Sequence, residues 1–492
     1  MSFFNIQHGG NMFRKFLSVA AALLCGMGAW SFELESPARI FPADSLVTLR
    51  FKAVSPWAKK NFDTVKIGYI RNDRRRISTG ETLWLGAPEL IKFERENGDT
   101  IVIRDLPLRG EHEHAIQFLV PKKYEKWKPG MAVKYEERFR YVYTLKPDLF
   151  KMRPFKGETH QHSTISIHAY VAPEGHVRYA RAAGYDFIAV TDHAHWNQNP
   201  IVAKAAKESG SGLVTFNGEE VHSQYNVLHG VCIGAPHQIT ESQKDLPKKF
   251  YNEKVKPIIP EVRKELPDLD KEEVLRIAEG IALARKAKAT GAVMIYCHPH
   301  WKYRGRYNAP PVYTKYMLSH NDFDAVEIVN CQINSPGDPN YQNINLLLEL
   351  AYAGGRRWPV VSASDNHRVN NVAAFRRNHN IIFAPECTFP EFKSALLNER
   401  LVASVETPLW DKKTDRPIYF GSWRTVELAT FIWDCGYWKK HDALTMKQSE
   451  LIAKFLDGDK SVVPQIKAMA KEIDACRESL YSSDPAVVKP IK

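Results

Sequence analysis

Cysteine is scarce, seven residues in 492, and the scarcity argues against a thiolate-rich structural zinc site. Long apolar runs are missing beyond the amino terminus, and no later segment approaches the roughly 20 residues that a membrane-crossing helix needs. Repeats and low-complexity arrays are absent too, which argues against a solenoid or a disordered linker protein. What is present is ordinary globular material, 44% hydrophobic and 25% charged. Its length suggests about three domains and is ample for a large core.

The amino terminus has a different character. Phe13-Arg14-Lys15 precedes an apolar stretch from Phe16 to Cys25, and Ala29-Trp30-Ser31 offers a small-x-small cleavage site. This is the pattern of a secretory signal peptide over residues 1–31, with Met12 an alternative start. The stretch is short for an anchor, and Leu24 before Cys25 makes a poor lipobox. The mature chain is therefore expected outside the cytoplasm, periplasmic or secreted, most simply in a bacterial periplasm. Six cysteines would remain there, and Cys435 with Cys476 is the expected pair if a disulfide forms. The formal charge is +12, or +10 without Arg14 and Lys15. A basic balance suits anionic substrates, although a Lys-rich segment at 244–271 carries much of the local charge.

From Phe32 to Leu149 short alternating strands are separated by turns such as Glu96-Asn97-Gly98-Asp99 and Lys128-Pro129-Gly130, so residues 32–150 are expected to form a β-sandwich-like domain. Its expected role is packing over the barrel, with binding of carbohydrate or another surface the alternative. After residue 405 the chain turns aromatic-rich and then helical from Thr445 to Tyr481. Residues 406–492 are expected to be a partly helical extension without chemistry of its own.

The chemistry gathers between them. His160-Gln161-His162, Thr191-Asp192-His193, Gly218-Glu219-Glu220 with His229, His298-Pro299 and Asp365-Asn366-His367 follow one another along residues 151–405. One H-x-H triplet means little in a chain with 18 histidines, since chance supplies one in roughly every second chain of this length. Order and placement carry the signal. The runs Asp186–Val190, Leu213–Phe216, Ala292–Tyr296 and Trp358–Val361 each lead into one of these polar segments, as strands ending in ligand-type residues would. Helical patterns at Pro173–Ala183, Ile201–Ser209, Lys271–Thr290, Ile344–Ala353 and Phe389–Leu397 alternate with them. Alternation predicts parallel strands whose ends share one rim, the place where α/β barrels carry active sites.

With these segments the chain resembles the polymerase and histidinol phosphatase (PHP) superfamily of metal-dependent phosphoesterases. The resemblance covers roughly residues 153–405 and extends to a closing ALxNxR-like stretch, Ala395 to Arg400. It implies a distorted (β/α)7 barrel holding up to three metal ions. It would place His160, His162, Glu220 and Asp365 on one ion, with Glu220 bridging to a second bound by His229 and His298. His168, His193 and His367 would hold the third. Many relatives carry Asp five residues after the second His of H-x-H; here that position is Ile167, followed by His168. The family spaces its carboxylate ligand two residues after the Gly, which favours Glu220 over Glu219.

Imidazole and carboxylate donors suit Zn²⁺, Mn²⁺ or Fe²⁺, so two to three divalent ions are expected. A shared carboxylate holds two ions about 3.5–4 Å apart, where they can clamp a phosphoryl group and activate a bridging hydroxide. Glu220, Asp192 and Asp365 are the residues expected to serve catalysis, with Asp192 readable as a ligand, an orienting carboxylate or a helix cap. His222 is an alternative to His229, though His229 opens an apolar strand. His195, His237 and His300 read as polar loop histidines, and Cys297 as a packed thiol. Just past His298, Trp301 to Tyr307 interleaves cations with aromatics. Lys302, Arg304, Arg306 and Arg368 are candidates to bind phosphate oxygens, with Trp or Tyr stacking on a base or sugar.

The leading expectation is a secreted phosphoesterase acting on a mono- or diester such as a nucleotide or sugar phosphate, with no stable nucleic-acid partner. The alternatives are an amidohydrolase-type deaminase or lactonase, and a non-catalytic metal- or glycan-binding protein. The first would not need the T-D-H, G-x-E and D-x-H segments together; the second would have little use for a complete ligand set.

Overall fold

The computed structural model describes residues 32–71, 89–121, 135–223, 229–240, 248–303, 306–330, 339–352, 357–408 and 415–491. The signal-peptide reading at 1–31, the turn at Lys128–Gly130 and the candidate Arg304 lie outside them. The chain divides into two compact units, residues 1–150 with 479–492, and residues 151–478.

The first unit is built from short strands in two sheets. One takes the order β1 (Phe32–Leu34), β3 (Ser45–Ala53), β7 (Thr100–Leu108), β6 (Glu94–Glu96); the other takes β2 (Ile40–Pro42), β9 (Tyr135–Leu145), β8 (Glu113–Pro121), β4 (Lys66–Arg71), β5 (Glu89–Leu90). The strand Ser45–Ala53 shows why: alternate residues Val47, Leu49, Phe51 and Ala53 are buried, the period of a sheet with one inward face. Phe51 and Phe118 meet edge to face in the shared core. The chain's last strand, Val488–Pro490, pairs with β3.

The second unit is a mixed α/β body around one ten-stranded, nearly closed, barrel-like sheet. Its strands are β10 (Arg153–Glu158), β11 (Phe187–Val190), β12 (Val214–His222), β13 (His229–Ile233), β14 (Val293–Tyr296), β17 (Ala325–Asn330), β18 (Val360–Ala363), β19 (Asn378–Ala384), β20 (Leu401–Pro408) and β21 (Asp415–Phe420). The spatial order is β18-β17-β14-β13-β12-β11-β10-β19-β20-β21. Strands Phe187–Val190 and Val293–Tyr296 are buried on both faces, which explains their unbroken apolar sequence. Between β18 and β19 a side chain stands in for a ladder. Asn380 accepts from the Ser362 backbone N–H at 2.9 Å and donates to the Ser362 carbonyl at 2.8 Å.

Parallel pairing holds for β10 with β11, β11 with β12, β14 with β17 and β17 with β18. It fails at β19, which runs antiparallel to β10 and β20, and at β13, which runs antiparallel to both β12 and β14. The expectation of parallel strands throughout is corrected at both, and at β13 the reason is that the link between His222 and His229 is too short for a crossover of about a dozen residues. The reversal brings the start of β13 to the rim where β12 ends.

Helices cover the outside. Lys271–Ala289 is opened by a capping box between Asp270 and Glu273 and buries Val274, Ile277, Ala278 and Ile281, an apolar stripe at helical spacing. In the carboxyl-terminal part, Ile452, Phe455 and Ile466 share a core with Val177 and Ala180 of the helix His176–Ala182, so this segment closes over the barrel's own helices. Cys435 and Cys476 are thiols and form no disulfide, which corrects the pairing expected above. Cys435 Sγ instead donates to the Ile432 carbonyl at 3.3 Å. No helix among the described residues is long and apolar enough to cross a membrane.

Candidate metal centre

All the polar segments reach one rim. His160 and His162 follow β10, Asp192 and His193 follow β11, His298 follows β14 and Asp365 follows β18. Glu220 and His222 end β12, and His229 begins β13 opposite His222. Glu220 and His222 are two apart on a strand and so face the same side. Glu219 faces the other side, where its carboxylate accepts from the backbone N–H groups of Ile239 and Thr240 at 2.6 and 2.8 Å. Gly218 lets β12 come close: a Cβ there would sit 2.8 Å from the Val190 carbonyl.

Glu220 stands at the centre, fully buried. Its Oε1 lies 2.8 Å from His229 Nδ1 and 3.1 Å from His298 Nε2. Its Oε2 lies 2.6 Å from His193 Nδ1, 3.3 Å from His222 Nε2, 3.5 Å from His162 Nε2 and 3.6 Å from His160 Nε2. Asp365 Oδ1 lies 3.0 Å from His162 Nε2 and 3.5 Å from His160 Nε2. On the far side His193 Nε2 is 3.3 Å from His367 Nε2. These donors fall into overlapping sets, among them His160, His162 and Asp365; His162, His193 and His367; and His193, Glu220 and His222.

The donors suit a divalent ion on several grounds. Bonds of about 2.0–2.2 Å put neighbouring ligands roughly 3.0–3.5 Å apart, near most separations here, while His193 and His229 stand closer to Glu220, at 2.6 and 2.8 Å. Glu220 Oε2 and His160 Nε2 are buried with no hydrogen-bond partner; the close nitrogens around Oε2 lack the direction of a hydrogen bond. Unsatisfied buried polar atoms are costly, and a cation among them would remove the cost. Protonation states agree. Burial pushes His162 and His229 down to about 3 and keeps them neutral. Burial also penalises the Glu220 charge, yet His229, His160 and His222 hold its carboxyl well below the usual range. Burial opposes charge on His160 too, but Glu327, Asp365 and Glu220 raise it well above its ordinary value.

Two buried carboxylates were missed by the sequence reading. Glu327, on β17, puts Oε1 2.7 Å from His160 Nδ1 and accepts the His298 backbone N–H on Oε2 at 2.8 Å. Glu158, at the end of β10, accepts the backbone N–H groups of His160 and Ser364 at 3.0 and 2.9 Å. The signal available was one acidic residue within a buried apolar strand, as in Ala325–Asn330, which is rare unless the charge is partnered.

Two expected residues do not join the cluster. His168 is exposed beside Ile167, itself 90% exposed. The turn explains it: Ser166 points inward, bonding Asp192 at 2.7 Å, His162 Nδ1 at 3.1 Å and the His193 N–H at 3.0 Å, so the next residues turn outward. Asp192 accepts from the Ser163 N–H at 2.7 Å, the Ser163 hydroxyl at 2.5 Å and the Ser166 hydroxyl. These contacts orient the H-x-H turn, which is the orienting role open to Asp192 from the sequence. His195 and His237 lie on loops, whereas His300 is buried with Nδ1 2.8 Å from Asn343 Oδ1. Cys297 Sγ sits 4.0 Å from Glu220 Oε1, its thiol pushed well up by burial.

Around the mouth, Lys302 and Arg306 are exposed on a ribbon of two short strands, Lys302–Tyr303 and Arg306–Tyr307, with Lys302 Nζ 4.7 Å from the centre of the Tyr307 ring. The Trp301 ring lies 5.5 Å from that of His298 and is 41% exposed. Arg368 lies over the Tyr170 ring at 4.6 Å and donates to its hydroxyl at 3.0 Å. The Tyr170 backbone N–H in turn bonds the His367 carbonyl at 3.1 Å.

Four of the eight non-glycine residues with positive φ among the described residues lie here. His298, His300, Ala194 and Asp365 adopt φ of 27°, 60°, 53° and 49°, conformations that surrounding structure must enforce and that cluster at functional sites.

No protein-family model and no curated protein matches the chain. Among the solved structures that resemble it weakly are two hydrolases. One, from Bifidobacterium adolescentis, is named only provisionally as a metal-dependent phosphoesterase; it is 16% identical, with a TM-score of 0.29 over 43% of this chain and 87% of that one. The other is an amidohydrolase from Chromobacterium violaceum with bound sulfate and no metal, 15% identical, with a TM-score of 0.27 over the same shares. Likeness at this level carries no argument, and the functional reading rests on the site.

Proposed function

We propose that the protein is a metal-dependent hydrolase of the PHP type that cleaves a phosphate mono- or diester outside the cytoplasm. The observation that supports it best is the division of Glu220, one oxygen toward His229 and His298 and the other toward His160, His162 and His193. In this reading His160, His162, Asp365 and Glu220 hold one divalent ion, Glu220 with His229 and His298 holds a second, and His193 and His367 contribute to a third. When bound, such ions acidify a water and neutralise charge developing on phosphoryl oxygens.

The chain's own residues do the rest. Glu327 fixes the His160 ring with Nε2 toward the cluster, and Asp192 with Ser166 fixes His162. Exposed Arg368, steadied by Tyr170, is set to take phosphate oxygens at the mouth. Lys302 and Arg306 add cations, and Trp301 offers an aromatic face to a base or sugar.

The test is an activity screen of metal-reconstituted full-length protein. Phosphomonoesters, phosphodiesters, nucleotides and sugar phosphates form one arm; lactones and deaminase substrates form the other. Turnover confined to the second arm would replace this reading with the amidohydrolase one.

A further inference from the structure

We infer that His222 is a metal ligand: with His193 and the second carboxylate oxygen of Glu220 it forms a three-donor site for a divalent transition-metal ion. The inference rests on the metal-dependent reading above and deepens it, by moving His193 from a third site with His367, where the resemblance also put His168, to one with His222 and Glu220.

Strand geometry fixes the His222 ring. It shares a strand face with Glu220 and pairs across the hairpin with His229, whose ring stacks on it at 4.0 Å. The ring's Nε2 is thereby held 3.3 Å from Glu220 Oε2 and 3.0 Å from His193 Nδ1, while His193 Nδ1 is 2.6 Å from the same oxygen. Three donors thus form a closed triangle, two of whose edges match those of a coordination polyhedron and the third of which, 2.6 Å, is shorter.

The independent observation is Glu220 Oε2. It belongs to a fully buried side chain, faces into this triangle and satisfies no hydrogen bond. A proton shared by His193 and His222 would settle their mutual approach but leave that oxygen unsatisfied. A cation would settle all three at once.

His193 has a second option, because its Nε2 faces His162 and His367. That set holds imidazoles alone, whereas the Nδ1 side adds a carboxylate to balance a dication. Two imidazoles and a carboxylate suit Zn²⁺, Mn²⁺ or Fe²⁺. His168, exposed on its turn, offers no comparable donor.

The full chain, stripped with a chelator and reloaded with Mn²⁺ or Zn²⁺, should be assayed for metal per chain by elemental analysis. His222→Ala and His222→Gln should each bind one ion fewer than wild type, and His168→Ala should bind the wild-type number. Wild-type stoichiometry in both His222 variants would overturn the inference while leaving the metal-dependent reading intact; a wild-type chain that binds no metal would remove that reading and the inference together. If circular dichroism shows the His222 variants unfolded, anomalous diffraction from wild-type crystals soaked in Mn²⁺ decides. A peak within coordination reach of His222 Nε2 supports the assignment, and peaks only elsewhere refute it.

Discussion

Glu327 and His160 are both fully buried, and Glu327 Oε1 lies 2.7 Å from His160 Nδ1. The same carboxylate accepts the backbone N–H of His298 on its other oxygen, so one side chain on β17 sets two donors on opposite sides of Glu220. A carboxylate behind a ligating histidine fixes its tautomer and raises its basicity. Glu327→Gln should therefore weaken metal binding by about 10- to 100-fold, read by chelator competition. Wild-type affinity in that variant would remove the orienting role.

Glu220→Gln replaces the central anion by a neutral amide, a poor bridge between cations. Turnover should be abolished and at least one ion lost per chain. A Gln variant with wild-type kcat would rule out the shared-carboxylate arrangement.

Gly218→Ala tests the approach of β12 to β11. The added Cβ would stand 2.7 Å from Thr191 Cγ2 and 2.8 Å from the Val190 carbonyl oxygen, and a backbone atom cannot swing aside. Overpacking of this kind costs about 1–3 kcal/mol, so the melting temperature should fall and metal affinity with it. An unchanged melting curve would show that the strands can separate freely.

The buried Asp186 predicts a dependence on acid. Burial disfavours its charge, but Arg477 at 2.8 Å, His441 at 3.1 Å and Arg181 at 3.3 Å outweigh that and hold its carboxyl well below the usual range. An unfolded Asp titrates near about 3.9. The stability this group contributes is therefore complete above that pH and is lost as pH falls below it toward the folded value. Arg477→Leu, which strands a buried carboxylate, should cost about 3–5 kcal/mol at neutral pH and flatten the loss of stability below about pH 4. Urea melts across pH check both, and an unaltered acid slope would contradict the linkage.

For substrate binding, Arg368→Ala should raise KM if the guanidinium holds phosphate equally in ground and transition states, and lower kcat if it acts only as charge develops. Tyr170→Phe removes the bond that steadies Arg368 and should give a smaller change in the same parameter. A Tyr170 effect on the other parameter would separate the two residues.

The local sequence was informative where one strand carries its own signal. The helix expected at Phe389–Leu397 has those bounds in the structure, because an N-terminal Pro follows the Thr388 cap and the apolar residues keep helical spacing. The strands at Phe187–Val190 and Val293–Tyr296 were legible for a similar reason, as runs buried on both faces must be apolar throughout. Strand direction was not legible. Whether β13 runs with or against its neighbours depends on the length of a connection and on partners far away in sequence, neither of which marks the strand itself.

At the site, residue types and their order were fixed by the chain alone: imidazoles and carboxylates at the ends of apolar runs, which is metal chemistry at a sheet rim. Only the tertiary structure decided which of those donors meet. His168 and His222 are equally plausible as letters, but one sits on a turn whose inward position is taken by Ser166, and the other on a strand face shared with Glu220. Glu327 entered the same way, from a strand distant in sequence and adjacent in the sheet to β14 and β18. A ligand set is defined by distances of a few ångströms among residues scattered along the chain from His160 to His367, and those distances exist only once the sheet has closed.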